Sequence, residues 1–146
     1  MHQHDHDRLA RIGMPEAVLC GTKSVDQVVT IASDLAALRE PRLLTRLSDE
    51  QLAALPSAVR SVIDDDRCSQ TAFLNGPLPR REGRVVIVVA GTSDASVATE
   101  AARTLTFSGV DPELIIDVGV AGLWRLEARL GDIRDADIVI AVAGMD

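Results

Sequence analysis

Apolar residues are arranged in two distinct ways along this chain of 146 residues. Residues 85–90 are apolar at every position and rich in β-branched side chains. That pattern predicts a strand buried on both faces, as in a parallel sheet. Residues 114–117 and 136–142 read as two further strands of the same sheet. Between them the spacing changes to that of helices. Residues 96–108 place Val97, Ala101 and Leu105 on one helical face, and Gly109 is the expected terminator. A second helix is predicted over about 123–129. Strands joined by helices in this way should run parallel with right-handed crossovers. A third strand followed only by Ala143-Gly144-Met145-Asp146 reads as an unfinished sheet, so a C-terminally truncated domain is expected.

The first 74 residues are patterned differently. Residues 7–12 suit a short helix that Gly13 ends and Pro15 keeps from resuming. Residues 16–20 read as a strand, and Gly21-Thr22-Lys23 as a loop. Ser24 and Gln27 have capping-box spacing ahead of the helical stripe Val28, Ile31, Ala32 and Leu35. A second strand is expected over 43–46. Ser48 and Gln51 repeat the capping box ahead of Leu52 and Leu55. Residues 59–63 and 69–74 are weaker strand candidates, divided by Asp64-Asp65-Asp66. The sum is a small βαβα unit with extra strands. Residues 75–83, with two prolines and flanking glycines, have the composition of a linker. The expected organisation is therefore an N-terminal α/β region over 1–74, a linker over 75–83 and a partial second domain over 84–146.

Composition narrows the function classes. Hydrophobic residues make up 47% of the chain, enough for a core, but aromatics are only 2% and Tyr is absent, so that core must be aliphatic. The net charge of −7 argues against a general nucleic-acid surface, which needs basic patches. No apolar run approaches a bilayer span, and the polar start of the chain is unlike a signal peptide. Cys20 and Cys68 have no metal-type spacing, so reduced thiols and a cytoplasmic setting are expected. His2, His4 and His6 alternate as three imidazoles on one face of an extended segment could. With no fourth ligand evident, a solvated terminus is the expected reading, and no metal site is assigned.

All three predicted strands of the second segment end in small or acidic residues, which would line up on one edge of the sheet. Gly91-Thr92-Ser93-Asp94 offers backbone N–H groups, two hydroxyls and a carboxylate before a helix, an arrangement suited to an anion. Asp94 could equally be the helix N-cap. The loop is neither the dinucleotide fingerprint nor a Walker loop. Asp117 precedes a turn in which Gly119 and Gly122 would permit close backbone approach, either to a ligand or within a tight turn. Lys23 is a cation just ahead of a helix.

An ordered set of short motifs resembles one family. The residues are Arg11-Ile12-Gly13-Met14-Pro15-Glu16, Gly21-Thr22-Lys23, Thr45-Arg46-Leu47-Ser48, Ala90-Gly91-Thr92-Ser93-Asp94, Asp117-Val118-Gly119-Val120-Ala121-Gly122-Leu123 and Val142-Ala143-Gly144-Met145. Together they resemble the LarB-type pyridinium-3,5-biscarboxylic acid mononucleotide synthases of nickel-pincer cofactor biosynthesis, whose second domain is related to aminoimidazole ribonucleotide carboxylase/mutase. The resemblance implies an α/β fold, with an N-terminal α/β region followed by an incomplete flavodoxin-like parallel sheet. It implies carboxylation of the pyridinium ring of nicotinic acid adenine dinucleotide by CO2 or bicarbonate. Phosphoanhydride hydrolysis would release AMP, and the product would feed the cofactor of lactate racemase. It implies a homo-oligomer and no firm cofactor, with Mg2+ left open.

Residue by residue, the resemblance makes Thr92 and Ser93 contacts for phosphate or carboxylate oxygens, and Gly91, Asp117, Gly119 and Gly122 part of the substrate site. Asp94 becomes a candidate for proton transfer or ring positioning, and Lys23 for pairing with a substrate anion. The family's thiolate comes from a cysteine that neither Cys20 nor Cys68 matches. Trp124 stands where the family usually has histidine. Packing in the core is its expected role, with stacking on a flat ring as the alternative. Two rival readings are a purine-pathway carboxylase or mutase, which would resemble only the second segment, and a non-catalytic nucleotide-binding or assembly module.

Overall fold

The computed structural model describes residue 5 and residues 7–144. The chain divides into two compact units, residues 1–78 and 79–146. His2, His4, His6, Met145 and Asp146 lie outside the described residues.

The first unit is a four-stranded mixed sheet with short helices. Its elements are α1 (Arg8–Ile12), β1 (Val18–Leu19), α2 (Val25–Leu38), β2 (Arg42–Thr45), α3 (Asp49–Ala54), α4 (Ser57–Arg60), β3 (Ile63–Asp66) and β4 (Thr71–Leu74). The strand order is β1-β2-β4-β3, with β1 parallel to β2 and the other pairs antiparallel. Gly13 closes α1 in the left-handed conformation at φ 75°. Both capping boxes form, Ser24 with Gln27 and Ser48 with Gln51. The stripe Val28, Ile31, Ala32 and Leu35 packs with Val18, Leu44, Leu55, Ala72 and Leu74 into an aliphatic core.

Two expectations for this unit change. Residues 59–63 are not a strand. Pro56 starts the one-turn helix α4, its carbonyl accepting the Val59 and Arg60 N–H groups, and Val59 points into the core. The strand begins instead at Ile63 and runs through Asp64, Asp65 and Asp66. Three consecutive aspartates look like a breaker, but β3 is at the sheet edge, where charged side chains face water and blunt edge-to-edge pairing.

The second unit contains β5 (Val85–Val89), a 3-10 turn (Thr92–Asp94), α5 (Ala95–Phe107), β6 (Glu113–Ile116), a second 3-10 turn (Val120–Gly122), α6 (Leu123–Glu127), α7 (Leu130–Arg134) and β7 (Ile138–Val142). The three strands are parallel in the order β6-β5-β7. This is a flavodoxin-like α/β arrangement, with the first strand central and the next two on either side of it. Ile87 and Val89 on one face of β5 pack with Ala98 and Ala102 of α5. Val86 and Val88 on the other face pack with Leu126 of α6 and Ile133 of α7. The continuous apolar run of β5 is thus covered on both faces.

Three details differ from the expectation. Of the expected face, Ala101 and Leu105 pack against the core, but Val97 is 56% exposed and the buried positions there are Ala98 and Ala102. The helix expected over 123–129 is two short ones, α6 and α7, with Ala128 and Arg129 between them. The strand β7, expected to be buried, is an edge strand among the described residues, with Ile138 57% and Val139 45% exposed.

The two ends of this sheet are chemically unlike. At the amino end, Arg84 meets Glu113 at 3.1 Å, and Arg129 meets Glu113 at 2.8 Å and Asp132 at 2.7 Å. The Asp137 carboxylate accepts the Arg84 backbone N–H at 2.8 Å. The carboxyl end carries the glycine-containing loops. Among the described residues no helix is long and apolar enough to cross a membrane.

Candidate functional site

The chain runs from β5 through α5 to β6 on one face. It then crosses β5 on the opposite face, through α6 and α7, to reach β7. In a sheet of this order the ligand crevice opens at the carboxyl ends of the first and third strands, here β5 and β7. Ala90 ties the edge together. Its N–H donates to the Val142 carbonyl at 3.0 Å, and its carbonyl accepts the Gly119 N–H at 2.8 Å.

Gly91 leaves β5 in extended conformation, φ −131°, and Thr92 and Ser93 follow with exposed hydroxyls. Asp94 occupies the N-cap position of α5, but its side chain makes no capping hydrogen bond. Its carboxylate accepts the backbone N–H of Gly144 at 3.2 Å, so it faces the loop that follows β7. This aspartate therefore reaches across the crevice. The simple capping role does not describe it.

The loop after β6 is held by the protein's own contacts. Asp117 adopts φ 65° and is ion-paired with Arg125. A Cβ on Gly119 would sit 2.8 Å from the Ala90 carbonyl oxygen, so glycine here permits close approach of backbone to backbone. A Cβ on Gly122 would meet the Arg125 guanidinium at 2.6 Å. Gly91, Thr92, Ser93, Asp94, Asp117, Gly119 and Gly122 thus share one sheet edge, and Asp94 with Gly144 flanks the crevice. Trp124 corrects the packing expectation. It is 72% exposed on the first turn of α6, beside Leu123 at 50%.

Lys23 belongs to the first unit. Its loop lies at the carboxyl ends of the parallel strands β1 and β2, where the Cys20 N–H donates to the Thr45 carbonyl at 2.8 Å. Gln51, buried at 5% exposure, holds it. Its amide nitrogen donates to the carbonyls of Cys20 at 3.1 Å and Lys23 at 2.9 Å, while its oxygen accepts the Ser48 N–H at 3.0 Å. The sequence marks Gln51 only as a capping residue; the loop contact depends on a packing that spacing does not reveal. Arg46, at φ 53°, lays its side-chain stem beside Gly21, where a Cβ would meet the Arg46 Cβ at 3.2 Å. Its guanidinium is a second cation beside the Lys23 loop, and Thr45-Arg46-Leu47-Ser48 was the signal for it.

Burial pushes the Cys20 thiol up from 9.0 to about 11, against a smaller opposing pull from Lys23. Cys68 is exposed in the turn between β3 and β4. Among the described residues, no group of three His, Cys, Asp or Glu side chains could hold a metal ion.

A three-stranded parallel sheet of order β6-β5-β7 with helices on both faces defines the class of protein: a flavodoxin-like α/β unit that follows a small mixed-sheet unit in the chain. Residues 1–74 match the family model of the LarB/PurE-like N-terminal domain, and the chain belongs to that family. It is also similar to the uncharacterized protein MJ0165 of Methanocaldococcus jannaschii, with 31% identity over 152 residues. That alignment takes in 97% of this chain and 59% of the relative, so the chain spans somewhat over half the relative's length.

Proposed function

We propose that this chain takes part in carboxylating the pyridinium ring of nicotinic acid adenine dinucleotide, with hydrolysis of the phosphoanhydride to release AMP. The observation that carries the reading is the Thr92-Ser93-Asp94 loop at the β5/β7 crevice, in a chain whose first 74 residues match the LarB/PurE-like N-terminal domain.

The chemistry sets what such a site must do. A pyridinium ring is electron-poor and does not attack CO2. Addition of a thiolate to the ring gives a neutral, enamine-like carbon that forms the new C–C bond. A base then takes the ring proton from that carbon, and the thiolate leaves with its electron pair, restoring the pyridinium. Water cleaves the phosphoanhydride in a separate step. In this proposal Thr92 and Ser93 hold substrate oxygens, and Asp94 receives the proton or orients the ring.

Neither cysteine on the chain suits the thiolate role. At a pKa of about 11 the Cys20 thiol is almost wholly protonated at neutral pH, and its Sγ lies 3.6 Å from the Val18 carbonyl within the core. Cys68, exposed in the first unit's β3–β4 turn, does not match the cysteine that supplies the thiolate in the family the sequence resembles.

Calorimetric titration tests the reading. Nicotinic acid adenine dinucleotide should bind more tightly than aminoimidazole ribonucleotide, and Asp94→Asn should weaken it. The reverse preference would move the protein to purine-type carboxylation, and binding of neither would leave an assembly module. Incubated with the dinucleotide and 13C-bicarbonate, residues 1–146 should form no dicarboxylated mononucleotide, for want of a reactive thiolate. Appearance of that product with AMP would overturn the thiolate requirement.

A further inference from the structure

We propose that Gly144 is a positioning residue for the Asp94 carboxylate, and that the two act as one unit across the β5/β7 crevice. The inference rests on the reading of that crevice as the substrate site. An aspartate at a helix N-cap ordinarily turns its carboxylate back onto the helix's own free N–H groups. Asp94 has the cap position and does not do so. Its Oδ2 accepts the Gly144 N–H at 3.2 Å instead.

Gly144 acts in two ways. Its N–H fixes one carboxylate oxygen. Its missing side chain leaves room for the other, because a Cβ at this position would lie 2.9 Å from Asp94 Oδ1. Carboxylate oxygens do not tolerate carbon at that separation, so any residue other than glycine must push the Asp94 side chain aside. The backbone of Gly144 is not the reason for glycine. The left-handed glycines of this chain are Gly13, Gly83 and Gly109, and Gly144 is not among them. Alanine is therefore compatible with the backbone at 144, and its effect falls on Asp94. With Oδ2 held by the amide, Oδ1 is the oxygen offered to a ligand or to a proton in transfer.

The test has two arms. In the first, the Gly144 amide proton is followed by NMR through an acid titration of the whole chain. It should move with a single carboxylate titration in the wild type and lose that movement in Asp94→Asn. An amide that does not titrate, or that titrates equally in Asp94→Asn, overturns the proposal whatever the substrate proves to be. In the second arm, nicotinic acid adenine dinucleotide is the calorimetric probe. Gly144→Ala should weaken binding about tenfold in the wild type but less than about twofold in Asp94→Asn, the non-additivity of residues in direct contact. Equal losses in both backgrounds overturn the coupling. A titrating Gly144 amide in a wild-type protein that binds no dinucleotide would instead overturn the substrate reading and leave the pair intact.

Discussion

At the scale of single residues, the two cysteines make opposite predictions. Cys20 is fully buried and its thiol is lifted to about 11. A group whose neutral form is favoured by folding leaves stability at its full value below the unfolded pKa. That stability is lost as pH rises through the folded value. Between pH 9 and about 11 the unfolded chain ionises first, and the fold should lose about 2–3 kcal/mol. Urea unfolding curves across that range measure it, and Cys20→Ser should flatten the slope. Iodoacetamide should label Cys68 in the native protein and Cys20 only after unfolding; equal labelling rates would contradict the burial. Gln51 gives a second residue-level test. Gln51→Glu keeps the acceptor that caps α3 but removes the donors to Cys20 and Lys23. The loss of one buried and one part-buried hydrogen bond, with a carboxylate facing two carbonyls, should cost about 2–4 kcal/mol. Amide exchange at Lys23, whose N–H donates to the Cys20 carbonyl, should rise far more than in α2.

At the scale of elements, β5 and α5 carry the second unit. Ile87 is fully buried on the face that α5 covers, so Ile87→Ala should cost about 3 kcal/mol, whereas Val97→Ala, on the exposed side of the same helix, should change stability by less than about 0.5 kcal/mol. Thermal denaturation of the two variants distinguishes this packing from the register in which Val97 faces the core. The sequence reading and the structure part here for a physical reason. In the first turns of α5 the buried positions are the alanines Ala98 and Ala102, whose small side chains mark a face weakly, and Val97 is the larger apolar residue beside them. The capping boxes at Ser24 and Ser48 were legible because a cap is a local exchange of hydrogen bonds fixed by spacing. The unbroken run of β5 was legible because burial on both faces leaves no polar position. The edge strand β3 was not, since Asp64 to Asp66 take their strand conformation from pairing with β4. In the candidate site the residue types and the shared sheet edge could be read from the chain. The Asp94 contact with Gly144 and the Asp117 pair with Arg125 could not, because each joins separate turns of the backbone.

At the scale of the whole molecule, the described residues leave an apolar edge at β7, where Ile138 and Val139 are largely exposed and no strand pairs on the far side. Such an edge is a template for strand addition. The chain at high concentration should self-associate there, and Val139→Lys should suppress it. Sedimentation at rising concentration reads the effect; an unchanged association constant would place the contact elsewhere.

The β6-β5-β7 order also has a consequence in time. The β5–β6 pair closes through one helix, whereas β7 must find β5 from nearly twice as far along the chain, past a strand already in place. Closing the longer loop carries the greater entropy cost, so docking of β7 is the late step of assembly and the early step of opening. Gly144 arrives with β7, and Asp94 waits on β5's loop. The crevice thus comes into being only when the last strand locks, and it is the first thing lost when that strand lifts. Amide exchange that frees β7 before β5 would show the candidate site dissolving while the rest of the sheet still stands.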